Sequence, residues 1–184
     1  MPIRNTYLID NKRIELFDLL LSADETEQYV TALDGAAFTR TEIAGPETAA
    51  TKHFVSEMPM AALQHVPLLA KTLELLNATF AGEYAAYRAY TNLALPGDLL
   101  YSHVDCTADQ RDVTALWYLC RTWHIDWAGE TVFFNDLNEI ALSVLPKPGR
   151  LALFDGRIRH AGRPPTRIAT ESRYTFAMKF QRKP

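Results

Sequence analysis

From Tyr84 to Phe180 the chain is a succession of short apolar segments cut by turns, and such a chain has few ways to bury itself. Tyr84 to Asn92, Leu99 to Val104, Val113 to Cys120, Thr131 to Phe134, Ile140 to Leu145, Leu151 to Phe154 and Arg173 to Phe180 are rich in aromatic and β-branched residues. Leu95-Pro-Gly-Asp98, Pro146-Lys-Pro-Gly149 and Asp155-Gly156 punctuate them. Strands this short and this closely spaced predict a sandwich or barrel.

Upstream the pattern changes. Residues 12 to 34 read as helical, with Ile14, Phe17, Leu20 and Leu21 at helical spacing. Ser22-Ala-Asp24 gives a break and a fresh N-cap, acidic Glu25 and Glu27 follow, and Gly35 is the stop. Residues 60 to 80 hold the clearest helix. Leu63, Val66, Leu69, Leu73 and Leu76 form its stripe, and Pro67 fits its first turn, so the main helix starts near Val66. Between these, Phe38 to Ile43 reads as a strand and Lys52 to Val55 as a sheet extension, with a flap over the site as the other reading of residues 36–59. Helices first and strands after predict an α+β fold: a β core braced by N-terminal helices. With 184 residues and 48% hydrophobic composition we expect a single domain over residues 1–184. Residues 1–82 would be a mainly helical support region and 83–181 the core.

A net charge of −3 argues against broad contact with a phosphate backbone, so no nucleic-acid partner is expected. No run approaches the roughly 20 apolar residues of a membrane span, and no membrane partner is expected. The two cysteines, Cys106 and Cys120, are too few for a disulfide framework, and Met1-Pro-Ile-Arg-Asn-Thr6 lacks a signal pattern; both favour a cytoplasmic protein with reduced thiols.

The chemistry concentrates at Tyr101-Ser-His-Val-Asp105. On a strand, residues two apart face the same way, so His103 and Asp105 reach one ion. His160 follows Leu151 to Phe154, and Arg173 opens the last apolar segment. Two neutral imidazoles, one carboxylate and a later buried arginine form the pattern of a non-haem Fe(II) site with a 2-oxo-acid co-substrate. Zinc on the same three ligands is the competing reading, although the His-Glu-x-x-His helix of many zinc hydrolases is missing. His53, His65 and His124 are the other histidines, and His124-Ile-Asp126 repeats the His-x-Asp spacing. An arginine fork suits the distal carboxylate of 2-oxoglutarate. Arg173 is the candidate, with Thr175 on the same face and Tyr118 offering a phenol; Arg163 and Arg167 are alternatives in a Pro-rich segment.

These segments resemble the prolyl-4-hydroxylase-type branch of the 2-oxoglutarate/Fe(II) dioxygenases. The likeness rests on Tyr101-Ser-His-Val-Asp105, Val113 to Leu119 with Trp123, Trp127-Ala-Gly-Glu-Thr-Val-Phe133, Pro148 to Phe154, His160 and Arg173-Tyr-Thr175. It covers about residues 84 to 181. It implies a distorted double-stranded β-helix, or jelly roll, with Fe(II) held by His103, Asp105 and His160 and 2-oxoglutarate held by Arg173 and Tyr118. It also implies O2 as co-substrate and hydroxylation of a C–H bond with release of succinate and CO2. The family places its basic residue closer behind the second histidine than the thirteen residues found here. That predicts a longer final turn and leaves Arg167 as a rival for the anchor.

The substrate is expected to be a small molecule, an amino acid or biosynthetic intermediate, with protein prolyl hydroxylation as the alternative. Tyr90 and Asn92 would line the mouth. Arg157, Arg159 and Arg163, around His160, would draw an anionic group. A cupin-like binding module without turnover is the alternative of another class.

Overall fold

The computed structural model describes residues 3–183. Strands β1 (Ile3–Ile9) and β2 (Lys12–Asp18) open it as a hairpin. Its two-residue turn, Asp10-Asn11, holds both residues at positive φ, 48° and 60°, the primed-turn conformation whose twist suits a tight hairpin. The helix expected from residue 12 is therefore corrected: Lys12–Asp18 is a strand. Both of its faces are buried. Ile14 and Leu16 pack on one side and Phe17 on the other, so its apolar residues mimic helical spacing.

Helix α1 (Ala23–Asp34) follows, started by a capping box in which the Ser22 hydroxyl accepts from the Glu25 N–H while the Glu25 carboxylate accepts from the Ser22 N–H. Strands β3 (Thr39–Glu42) and β4 (His53–Met58) form an antiparallel pair. A short turn, α2 (Met60–Leu63), precedes α3 (Pro67–Thr79), which carries Pro67 at its first position as expected. The support region thus holds as much sheet edge as helix. The core strands are β5 (Tyr84–Ala94), β6 (Val113–Leu119), β7 (Thr131–Phe134), β8 (Ile140–Val144), β9 (Arg150–Asp155), β10 (His160–Gly162) and β11 (Arg173–Arg182). Leu99 to Val104 forms no regular strand; it makes one bridge, His103 with His160.

The strands form two sheets, in the orders β1-β2-β9-β6-β11-β5-β4-β3 and β10-β7-β8. All named pairings are antiparallel, and the two sheets make a double-stranded β-helix. The N-terminal strands extend the large sheet at both edges.

Alternation along β11 sets the plan. Tyr174, Phe176, Met178 and Phe180 point to the outer side, against Leu63, Leu68 and Leu76 of the helices. Trp117 of β6 lies in that layer, and its indole N–H donates to the Thr72 hydroxyl of α3 at 2.9 Å, so the helix is both packed and pinned. Each buried leucine there contributes about 1.5–3 kcal/mol. The alternate residues Arg173, Thr175, Ala177 and Lys179 turn inward, toward the small sheet. The inner layer is apolar at one end, with Phe133, Val144, Phe154 and Ile158, and polar at the other.

Candidate active site

The bridge between His103 and His160 builds the centre. Each residue's backbone N–H donates to the other's carbonyl, at 3.0 and 2.9 Å, and the Asp105 N–H donates to the Gly156 carbonyl at 2.7 Å. The extended stretch at residues 103–105 is thereby pinned to the turn before β10 without being a strand itself. Donor atoms of His103, Asp105 and His160 all lie within 4.8 Å of one another. The Nδ1 atoms of His103 and His160 lie 3.1 and 3.0 Å from the Tyr101 and Ile158 carbonyls. A carbonyl can only accept, so each Nδ1 carries the proton and each Nε2 keeps its lone pair. These Nε2 atoms sit 3.5 and 3.6 Å from the Asp105 carboxylate.

The charge states suit a cation. Burial pushes the His160 imidazole down to about 4, so it is neutral and ready to ligate. Burial alone would raise the Asp105 carboxyl; the Lys179 ammonium and the two histidines outweigh it and hold it well below the usual carboxylate range. One carboxylate oxygen, Oδ2, accepts from the Thr114 hydroxyl at 2.5 Å and from the Lys179 ammonium. Two imidazole nitrogens and one anionic oxygen, grouped on one side of an open cavity, fit a ferrous ion with free positions. Lys179, 7% exposed, is a site residue that the sequence analysis missed. Counting by twos along β11 from Arg173 would have found it.

Arg173 sits deeper in the same cavity, 3% exposed. Its Nε donates to the Gly129 carbonyl at 2.6 Å and its Nη2 to the Thr131 hydroxyl at 3.1 Å. Both acceptors are neutral. Among the described residues no carboxylate lies within ion-pairing distance of it. Burial pulls its pKa down, but a guanidinium stays charged, so this is a buried cation lacking an anion. Thr175, two residues on, lines the same wall. Tyr118 pairs with Thr175 across the β6–β11 ladder, and its fully buried hydroxyl makes no hydrogen bond, with Thr131 and Arg173 among the polar groups around it. Tyr118 is not among the residues that line the cavity; a dicarboxylate there would meet Arg173 and Thr175 at one end and the triad's histidines at the other.

The remaining expected residues divide. Tyr90 and Asn92 line the cavity, and the Asn92 side-chain oxygen has no partner. Arg167 is exposed and outside the cavity lining, as is Arg163. Arg157 is engaged with Asp155, and Arg159 is exposed and reaches the Ser102 carbonyl at 3.3 Å. His124 and Asp126 face solvent on a short turn, far in character from a ligand pair. His65 is exposed. His53 is the second missed residue: it is buried on β4 and lines the cavity with Ala44, so the 36–59 region supplies a wall of the site.

A model of the 2OG-Fe(II) oxygenase superfamily matches residues 86–181, more than half of the chain. This protein belongs to that superfamily. As a member it is a dioxygenase that works with Fe(II), 2-oxoglutarate and O2. Solved structures of the same fold include a prolyl-4-hydroxylase from Pseudomonas putida, at TM-score 0.67 and 18% identity over 93% of this chain and 93% of that one. Another is a prolyl hydroxylase from Trichoplax adhaerens in complex with a hypoxia-inducible-factor peptide fragment, at TM-score 0.67 and 19% identity over 92% and 83%. HygX from Streptomyces hygroscopicus, with nickel, 2-oxoglutarate and hygromycin B bound, matches at TM-score 0.65 and 14% identity over 92% and 83%. A comparison with curated protein sequences finds no match. Among the described residues of this oxygenase no helix is long and apolar enough to cross a membrane.

Proposed function

We propose that this oxygenase hydroxylates a C–H bond of a small molecule, an amino acid or biosynthetic intermediate, with iron on His103, Asp105 and His160. Arg173 holds the distal carboxylate of 2-oxoglutarate, assisted by Thr175 and Tyr118. The observation that carries this reading is Arg173 itself: a buried guanidinium with neutral partners alone, in the cavity that His103 and His160 also line. A zinc hydrolase has no use for such a charge, and a silent binding module has no reason to keep both it and the three ligands.

Bound iron supplies O2 activation, which couples decarboxylation of 2-oxoglutarate to succinate with oxidation of the substrate. The chain supplies the rest. Tyr101 and Ile158 carbonyls fix the imidazole tautomers. Thr114 and Lys179 hold the carboxylate oxygen that faces away from His103. Phe154 packs edge-on against His160, Phe133 lies tilted beside it, and the two rings keep water from that side. Two buried, unpaired thiols support placement in the cytoplasm. A prolyl side chain in a peptide is the second reading, supported by the fold shared with two prolyl hydroxylases.

Anaerobic addition of Fe(II) and 2-oxoglutarate is expected to give a metal-to-ligand charge-transfer band in the visible. His103→Ala and His160→Ala are expected to lose the band and all succinate formation. Succinate formed without added iron, or a band that survives His160→Ala, overturns the assignment. Screening free amino acids against prolyl peptides for stimulated succinate release separates the two substrate readings.

A further inference from the structure

Lys179 lines two cavities. One is the small space that also holds Arg173; the other, ≈ 180 Å³, is bounded by Glu42, Ala44, Tyr87, Val104 and His103 and excludes Arg173. The two cations stand six positions apart on β11, about 20 Å along the strand, so they serve opposite ends of the site. A lysine ammonium has three donors. The structure shows two acceptors, Asp105 Oδ2 and the Thr114 hydroxyl at 3.2 Å. The third N–H has no acceptor among the described residues, and the ring of Tyr90 lies 6.0 Å away.

The charges point the same way. Iron brings two positive charges, and Arg173 and Lys179 one each. Asp105 supplies one negative charge and 2-oxoglutarate two. One positive charge is left over in a buried space, where an unpaired charge is costly. On the opposite wall Arg88 and Glu42 cancel, joined at 2.8 and 3.2 Å; the extra carboxylate on Arg88, Glu57, is half exposed to water and outside the cavity lining. Arg173 is matched by the co-substrate, so the surplus lies at Lys179.

We propose that the larger cavity is the substrate site and that Lys179 takes a substrate carboxylate there, so that the natural substrate is a small carboxylic acid rather than an internal residue of a peptide. This rests on the co-substrate reading above. It gives Lys179 a recognition role, and it explains why a strand that already carries one buried cation carries a second.

The test uses the wild-type protein loaded with Ni(II) and 2-oxoglutarate, which does not turn over. It is titrated by calorimetry with the free amino acids and with their C-terminal carboxamides. At least one free acid is expected to bind roughly tenfold or more tightly than its amide, the scale of one charge-assisted hydrogen bond. Lys179→Met and Lys179→Gln are each expected to bring that acid and its amide within about twofold. Amides binding as well as acids, no acid binding at all, or an acid preference that survives in a folded, nickel-loaded variant overturns the proposal. If neither variant folds with nickel bound, the acid–amide comparison on the wild type decides. Absence of the Fe(II)–2-oxoglutarate band in the wild type would instead remove the reading beneath it.

Discussion

The Arg173 guanidinium packs closely on Gly162: a Cβ on Gly162 would fall 3.3 Å from Nη2 and 3.4 Å from Nη1, tight enough that the fork would have to give. Gly129 stands on another side, with its carbonyl accepting from Nε. Two glycines therefore cradle the cation proposed to anchor 2-oxoglutarate. Gly162→Ala is expected to displace the fork by a few tenths of an ångström and to raise the 2-oxoglutarate KM by about threefold to tenfold, because anion recognition by a fork depends on alignment. Ferrous affinity, read by titration without co-substrate, is expected to stay close to wild type.

Because Arg173 is buried without an anion, the co-substrate should stabilise the fold as well as bind it. Adding 2-oxoglutarate with an inert metal at about a hundredfold over its Kd is expected to add roughly 2.7 kcal/mol to unfolding stability, seen as a rise in Tm. Arg173→Met is expected to abolish that rise, and in the ligand-free state to melt no lower than wild type, since it removes an uncompensated charge. A normal 2-oxoglutarate response in this variant would move the anchor elsewhere, with Arg167 the first place to look.

The metal-free protein should be acid-sensitive in a defined window. In the unfolded chain His160 takes a proton near its ordinary value of 6.5, while in the fold burial delays protonation to about 4. Between these values the unfolded state binds more protons, so stability falls as pH falls from about 6.5 to about 4. Asp105 adds to this at lower pH, because its carboxyl is held well below the usual range and its contribution is lost as pH falls through it. Denaturant midpoints measured between neutral pH and about pH 5 are expected to decline less steeply in His160→Gln. Equal slopes would mean His160 is protonated in the fold.

On the far side of the large sheet, Thr72→Val should leave the buried Trp117 N–H without its acceptor. The cost is expected to be about 1–3 kcal/mol in urea unfolding, with the charge-transfer band unchanged. A loss of the band would mean that the helix layer and the site are more tightly coupled than the packing shows.

The clustering of His103, Asp105 and His160 was legible because its signal is local: the first two are two residues apart, and His160 follows a strongly apolar strand. Arg173 and Thr175 were legible from strand alternation. Lys179 was not, although the same count by twos reaches it, because lysine near a strand end ordinarily faces water. The β1–β2 hairpin was misread for a different reason. Its second strand is buried on both faces, with Glu15 completely buried and paired to Arg4, so the polar–apolar alternation that marks a strand is erased. The Asp10-Asn11 turn was the available signal. His53 reached the site through the β3–β4 pair, a long-range placement that no local pattern records.

The alternation along β11 has a consequence for assembly. Were this strand to pair one residue out of step, Arg173, Thr175 and Lys179 would be driven in among the helices while Phe176 and Met178 filled the ion's chamber. The register that builds the pocket is therefore the register that packs the interior, and a one-residue slip would spoil both at once.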